Sequence, residues 1–413
     1  MSIAGLEDDS AGRERRGAAG APGAAASDGL IDVNELLDRY TVEELAVSAD
    51  DYFARLPTWT VLLAKPFYSV HEATELLTSF GALLSGLELS HGDVVLDFGV
   101  GSGWTSWMLS QLGARVIASD VSKVALEIAA ERYARLPLVG NVSAPVLQLF
   151  DGHRFELDDG SVDRVVCNDA FHHVANPVEV LAEFARVLRP GGICVMSEPG
   201  PEHSRSPQSQ TEMRNFRVVE RDIVIDELAP QARAMGFDAV EVGVYLGLPH
   251  FVDAAAFGPT IDASSPVPND LVRSFLANRR LIRMRKAGTA ALDSRRRDAV
   301  AGELRVELTG NVVHLTARNV GGATWLQGAT DFGLVNAGAH LFGADGELLE
   351  FEFMRMRLQP DSSPIPPGAS VDVVAELPPL APGRYRVEFD LVAEGVAWFA
   401  ENGNPSVTID VER

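Results

Sequence analysis

Apolar residues along this chain recur with two periods, and the change from one to the other divides it. Every third or fourth position is apolar in Asp32–Ala46 (DVNELLDRYTVEELA) and Glu72–Leu84 (EATELLTSFGALL), which predicts helices. An aromatic-rich stretch, DDYFARLPTWTVLLAKPFYSV, lies between them. Short apolar runs then alternate with helical patterns. Strands are expected at Val94–Phe98, Arg115–Ser119, Val146–Phe150, Asp163–Asn168 and Ile193–Ser197, with helices at Trp104–Leu112, Lys123–Leu136 and Pro177–Leu188. Such alternation implies right-handed crossovers and a parallel sheet. LRPGG, Leu188 to Gly192, supplies a helix stop. PGPEHSRSPQSQ reads as a polar loop, Glu220–Met235 and LVRSFLANRR as helices, DAVEVGVYLG as a strand, and LIRMRKA as the closing antiparallel strand. From about Gly302 the period falls to two. ELRVELTG, NVVHLTARNVG, AHLFGADGELL, ASVDVVAEL, GRYRVEFDLV and SVTIDVE, punctuated by glycine and proline, predict an antiparallel β-sandwich.

The most informative stretch is VLDFGVGSG, Val95 to Gly103. It reads as a strand, Asp97, a turn carrying Gly99, Gly101 and Gly103, and then a helix. Small residues there let backbone approach a ligand, and the following helix N-terminus faces the same crevice. The next strand ends in Asp120, at the offset of about 20 residues expected for an acid that grips ribose hydroxyls. The spacing is G-x-G-x-G with an acid two residues ahead, whereas the dinucleotide fingerprint is G-x-G-x-x-G.

VLDFGVGSG, Asp120, the FDG of Phe150 to Gly152, CNDAFHHV (Cys167 to Val174) and LRPGG occur in the order found in class I S-adenosylmethionine-dependent methyltransferases of the type 11 group. From Thr74 to Ala287 the chain resembles that family. The resemblance implies a Rossmann-like seven-stranded α/β sheet with helices on both faces, and S-adenosylmethionine as cofactor. It implies Asp97 near the methionine ammonium, Gly99, Gly101 and Gly103 making room, and Asp120 on the ribose. Asp151 with Gly152 is expected at the adenine, and Asn168 at the methionyl portion. A separate pattern, TARNVGGATW, a later PPG and GRYRVEFDLVAEGVAWF, resembles immunoglobulin-like sandwich modules joined to glycosyltransferases and polysaccharide-processing enzymes.

Composition narrows the remaining choices. The 413 residues suffice for two domains and a tail, and 46% are hydrophobic. A net charge of −23 argues against phosphate-backbone binding, so no nucleic-acid partner is expected. RSFLANRRLIRMRKAG and DSRRRDA are local basic exceptions, read as solvated faces. No apolar run approaches the ~20 residues of a membrane helix. The Ala/Gly-rich opening lacks the apolar core of a secretory signal, so residues 1–29 read as a disordered leader of a cytoplasmic protein. The remainder divides into a helical cap or lid at 30–92, the methyltransferase domain at 93–290 and the sandwich at 302–413. Cys167 and Cys194 are expected as buried free thiols, and no metal site is expected.

Methyl transfer to an oxygen requires in-line alignment and a base in reach. His203, His172 and Glu198 are the candidates at the strands' carboxyl ends. Tyr68 and His71 from the lid, with His173, are expected on the substrate side. Trp325, Trp398, Phe399 and Tyr385 are the candidates for a sugar-stacking face. The expected reaction is O-methylation of a saccharide or glycan precursor. A natural-product or other small-molecule acceptor is the alternative, as is a non-catalytic glycan- or partner-binding protein on this scaffold. The sequence leaves the oligomeric state open.

Overall fold

The computed structural model describes residues 29–140, 142–243, 279–289, 291–328 and 332–413. The chain divides into two compact units, one of residues 1–89 and 93–288 and the other of residues 90–92 and 289–413. The leader and most of LVRSFLANRR lie outside the described residues.

In the first unit, helices α1 (Val33–Arg39), α2 (Val42–Ala54), α3 (Thr60–Ala64) and α4 (Val70–Leu87) precede the sheet. The single helix expected over 32–46 is two helices. Tyr40 is extended, and Thr41 starts a fresh helix through a capping box with Glu44, each side chain hydrogen-bonding the other's backbone N–H. Then follow β1 (Val94–Phe98), α5 (Trp104–Gln111), β2 (Arg115–Asp120), α6 (Lys123–Arg135), β3 (Val146–Leu149), β4 (Val162–Asn168), α7 (Pro177–Val187) and β5 (Leu188–Pro199). α8 (Pro207–Phe216), α9 (Ile225–Ala234), β6 (Phe237–Gly243) and β7 (Arg279–Lys286) complete the unit.

The seven-stranded sheet has the order β3-β2-β1-β4-β5-β7-β6. All neighbours are parallel except β7, which runs antiparallel to β5 and β6 as LIRMRKA led one to expect. This is a Rossmann-like seven-stranded sheet with helices on both faces, as the sequence led one to expect. Its strand order reverses between β1 and β4, so the carboxyl ends of these two strands open the crevice where such sheets bind ligands. Two apolar layers hold it. One joins Phe98, Phe150, Phe155 and Phe184 on one face, and the other joins Leu83, Leu87, Leu109 and Val195 on the opposite face. Cys167 and Cys194 are buried and free on adjacent strands.

Two expectations about the segment after β5 are corrected. PGPEHSRSPQSQ is not an open loop: Ser206 caps the Ser209 N–H, Pro207 takes the first helical position, and α8 buries Ser209, Gln210 and Met213. The helix expected from Glu220 begins only at Ile225. Arg217 adopts a left-handed conformation that ends α8, and the Arg221 N–H donates to the His172 carbonyl at 3.0 Å. Residues 218–221 therefore lie against the short 3₁₀ turn Phe171–His173 instead of coiling.

The second unit contains β8 (Gly302–Thr309), β9 (Val312–Asn319), β10 (Val335–Gly343), β11 (Leu348–Arg357), β12 (Ser370–Glu376), β13 (Arg384–Ala393), β14 (Ala397–Trp398) and β15 (Val407–Glu412). They form antiparallel sheets of order β12-β9-β8 and β11-β10-β13-β14, with β15 on β13. Val313, Leu315 and Ala317 of one sheet share a core with Val335, Ala337, Val387 and Phe389 of the other, as period-two patterning requires. Trp325 and Phe399 meet edge to face inside that core, both 0% exposed, so neither is a sugar platform.

Candidate active site

A cavity of about 260 Å³ opens at the β1/β4 crevice. Its floor is the turn after β1. Gly99 and Val100 donate backbone N–H groups to the Ser119 carbonyl at 2.8 and 3.1 Å, folding the turn over the end of β2. The three glycines do different work. Gly99 has φ +70°, and a Cβ there would lie 2.2 Å from the Ala170 Cβ. Gly101 has φ +51°, and its Cβ would meet nothing within 4 Å, so it borders open space at the cavity wall. A Cβ on Gly103 would strike Tyr133 and Ala129; this glycine serves packing and is not among the lining residues.

Asp120 lies at the cavity edge with both oxygens engaged: Oδ2 accepts from the Gly101 N–H and Oδ1 from the Ser122 N–H, each at 2.9 Å. Burial raises its pKa against those two bonds. Asp97 lies beneath the turn, 1% exposed and not among the lining residues. Its Oδ2 accepts from Thr105 Oγ1 at 2.7 Å and Ser106 Oγ at 2.5 Å. Burial nevertheless pushes its pKa up to about 6. Asn168 lines the cavity and accepts from Ser79 Oγ at 3.3 Å. Gly152 lines it too, but Asp151 is exposed: its Oδ1 caps the turn by accepting the His153 and Arg154 N–H groups, both at 2.7 Å. The expectation that Asp151 points into the site is thus corrected.

The lid expectation changes its residues. One face of α2 (Val42, Leu45, Ala46, Ala49, Tyr52 and Phe53) covers the cavity, the i, i+3, i+4, i+7 stripe of an amphipathic helix. Asp50, on the same helix, accepts from Ser122 Oγ at 2.7 Å and fastens the lid to the start of α6. Arg132, 1% exposed, donates to the carbonyls of Ser102, Lys65 and Leu62, joining α3 to the glycine turn. Tyr68 and His71 are exposed and do not line the cavity; His71 pairs with Glu75 along α4.

None of the three expected bases lines the cavity. Glu198 is 0% exposed, accepting from the Ala170 and Phe171 N–H groups and from His172 Nδ1 at 2.7 Å. Burial works to raise its pKa, but these bonds, His172 foremost, hold it below the usual carboxylate range. His172 is buried behind the turn, and burial lowers its pKa. His203 points to Glu220, with Nε2 2.7 Å from Oε2. His173 does line the cavity, and its Nδ1–H donates to the Val219 carbonyl at 2.7 Å.

Sequence reasoning missed Tyr52, Phe53, Glu212 and Glu220. Glu212 lines the cavity from α8, and its pKa is raised by burial and by the neighbouring Glu220 carboxyl. Glu220 reaches the histidines only because residues 218–221 do not coil. No local pattern announces that. One ring nitrogen each of His172 and His173 and one oxygen of Glu220 lie within 4.8 Å of one another, a grouping of metal-ligand type that the sequence did not suggest.

Similar proteins match part of this chain. The chain is 38% identical over 120 residues to an uncharacterized 37.1 kDa protein in transposon TN4556 of Streptomyces fradiae, covering 28% of this chain and 33% of that one. It is 36% identical over 122 residues to methyltransferase GfsG of Streptomyces halstedii, and 37% identical over 117 residues to a malonyl-[acyl-carrier protein] O-methyltransferase of Marinomonas sp.. Those matches cover 29% and 28% of this chain and 42% and 41% of the relatives, so the chain spans less than half the length of each. A chain in the complex between the Haloferax volcanii Trm112 methyltransferase activator and the putative methyltransferase matches with TM-score 0.42 at 22% identity, covering 56% of this chain and 97% of that chain. Residues 96–196, which carry the glycine turn, Asp120 and the histidine pair, match the family model of the methyltransferase domain.

Proposed function

We propose that the protein is an S-adenosylmethionine-dependent methyltransferase that methylates an oxygen of a small, largely apolar molecule. The observation that carries this is the glycine turn and Asp120 at the β1/β4 crevice, with Gly101 bordering open space that a side chain would fill. The cofactor supplies an electrophilic methyl on a sulfonium. Gly101 and Asp120 flank the nucleoside, with Asp120 accepting from ribose hydroxyls through its remaining lone pairs. Asn168 meets the methionyl portion. Asp97 supports the turn from below and attracts the amino-acid ammonium. The α2 stripe excludes water and fixes the acceptor in line. Glu212 is the carboxylate on the acceptor side, positioned to take the hydroxyl proton as the new O–C bond forms and the C–S bond breaks.

Leu45, Ala46, Ala49, Phe53, Val218 and Val219 are among the residues that line the cavity, and this apolar lining favours an apolar acceptor over the saccharide expected from the second domain's company. Two of the similar proteins named above are a methyltransferase and an O-methyltransferase, which agrees with this reading. The second unit is read as an immunoglobulin-like accessory module, and the whole as cytoplasmic; no helix among the described residues is long and apolar enough to cross a membrane.

Calorimetric titration of S-adenosylmethionine into the wild type and Asp120→Ala tests the proposal. Micromolar binding that is lost in the variant is expected. A folded wild type that binds no cofactor would refute the enzyme reading.

A further inference from the structure

Behind the wall of the cavity, three imidazoles surround one buried carboxylate. Glu220 has a side chain 3% exposed. Its Oε2 lies 2.7 Å from His203 Nε2 and 4.0 Å from His172 Nε2, and its Oε1 lies 3.5 Å from His173 Nδ1. The imidazole planes of His172 and His173 have centroids 3.8 Å apart.

The hydrogen-bond roles are unusual for a structural cluster. His172 gives its Nδ1–H to Glu198, which leaves Nε2 with a bare lone pair. That lone pair faces a carboxylate oxygen across 4.0 Å, acceptor against acceptor. Glu220 Oε1 is buried and accepts from no N–H or hydroxyl group, and the neighbouring Glu212 carboxyl hydrogen-bonds to Glu220 only while it keeps its proton. A cation at this place would offset both carboxylates without that proton. His173 in turn gives Nδ1–H to the Val219 carbonyl, so its Nε2 holds a free lone pair.

We propose that His172, His173 and Glu220 bind a divalent first-row transition-metal ion at the edge of the acceptor cavity. Two imidazoles and one carboxylate are a donor set suited to Zn²⁺, Fe²⁺ or Co²⁺ and leave coordination positions open. The outer partners that orient such ligands are present: Glu198 fixes the His172 tautomer, and His203 holds Glu220 Oε2. His173 lines the cavity, which puts the three-residue cluster at the cavity's edge. An ion there would coordinate an acceptor oxygen and lower its pKa, sharing the task given to Glu212. The site stands on these contacts alone and does not require the methyl-transfer reading.

The full chain, stripped with a chelator, is titrated with Co²⁺ and separately with Zn²⁺ in the absence of S-adenosylmethionine. Calorimetry and Co²⁺ visible absorption report binding. One equivalent at micromolar affinity or tighter is expected. His173→Ala, half-buried and tolerant of truncation, and Glu220→Gln each lose at least tenfold in affinity, while His71→Ala on the exposed face of α4 keeps it. Unchanged melting temperature checks the fold of each variant. Cofactor titration of the metal-free protein reads the methyl-transfer proposal independently. Absence of Co²⁺ and Zn²⁺ binding by the folded wild type, or wild-type affinity in His173→Ala, would overturn the site. Preference for Mg²⁺ over Co²⁺ would overturn it as well, because imidazole donors do not select a hard cation.

Discussion

Asp97 gives the sharpest energetic test. Its carboxyl is 1% exposed, and burial raises its pKa from 3.8 to about 6 in spite of two hydroxyl donors. A carboxyl raised in the folded state contributes stability that is present in full below its unfolded pKa and lost as pH rises through the folded one. Ionising Asp97 at neutral pH thus costs the folded state about 3 kcal/mol, two pKa units at about 1.4 kcal/mol each. Asp97→Asn has no charge to bury. Its lost or weakened hydrogen bonds are a constant offset, so the useful quantity is how the difference between variant and wild type changes with pH. Between pH 5 and pH 7.5 that difference should move by about 1.4 kcal/mol in favour of Asn, most of it before pH 6.5. Urea unfolding of the cofactor-free protein at half-unit pH steps, following the transition of the first unit, measures it. A flat difference across that window would refute the buried-charge argument.

Further expectations rest on the same site. If the cofactor's ammonium requires ionised Asp97, its affinity should be about tenfold weaker at pH 5 than at pH 7 by calorimetry, and a pH-independent affinity would remove Asp97 from the ligand's surroundings. Gly99→Ala should destabilise the first unit by more than ~2 kcal/mol, since the new Cβ meets Ala170 and φ is positive. Gly101→Ala should cost only ~1 kcal/mol of strain yet abolish cofactor binding; thermal melting and titration separate the two. Arg132→Met should lower stability by ~2–4 kcal/mol, because three buried carbonyls lose their donor, and equal melting of variant and wild type would refute it. Glu212→Gln should reduce kcat by at least ~100-fold with little change in cofactor affinity, read with any accepted methyl acceptor.

The sheet was legible because its information is local and periodic. Val94 to Phe98 and Arg115 to Asp120 are apolar runs too short for a buried helix, rich in β-branched residues and bounded by turn residues, which marks them as strands. The same holds for the period-two strands of the second unit. Gly99, Gly101 and Asp120 were legible as chemistry because backbone conformation there admits few residue types. Legibility failed where a position depends on distant chain. Ser206 and Pro207 do carry a helix-start signal, but the polar composition around them masked it. Tyr68 and His71 sit in the expected lid segment, yet Asp50 and Arg132 fasten α2 and α3 so that Tyr52 and Phe53 face the cavity instead.

Period and turn chemistry thus determined the α/β class of the first unit, the two-part architecture, the glycine turn and the strand-end acid Asp120. Tertiary structure alone decided which face of the lid closes the cavity, that Asp151 caps a turn, that Trp325 is core, and that Glu220 joins His172, His173 and His203. The physical reason is one of range. Backbone conformation answers to neighbours a few residues away, whereas a side chain's direction and charge environment answer to whatever the fold brings beside it. For Glu220 that partner lies 48 positions back along the chain at His172, held beside it by the Arg221 N–H bond to the His172 carbonyl and the His173 bond to the Val219 carbonyl.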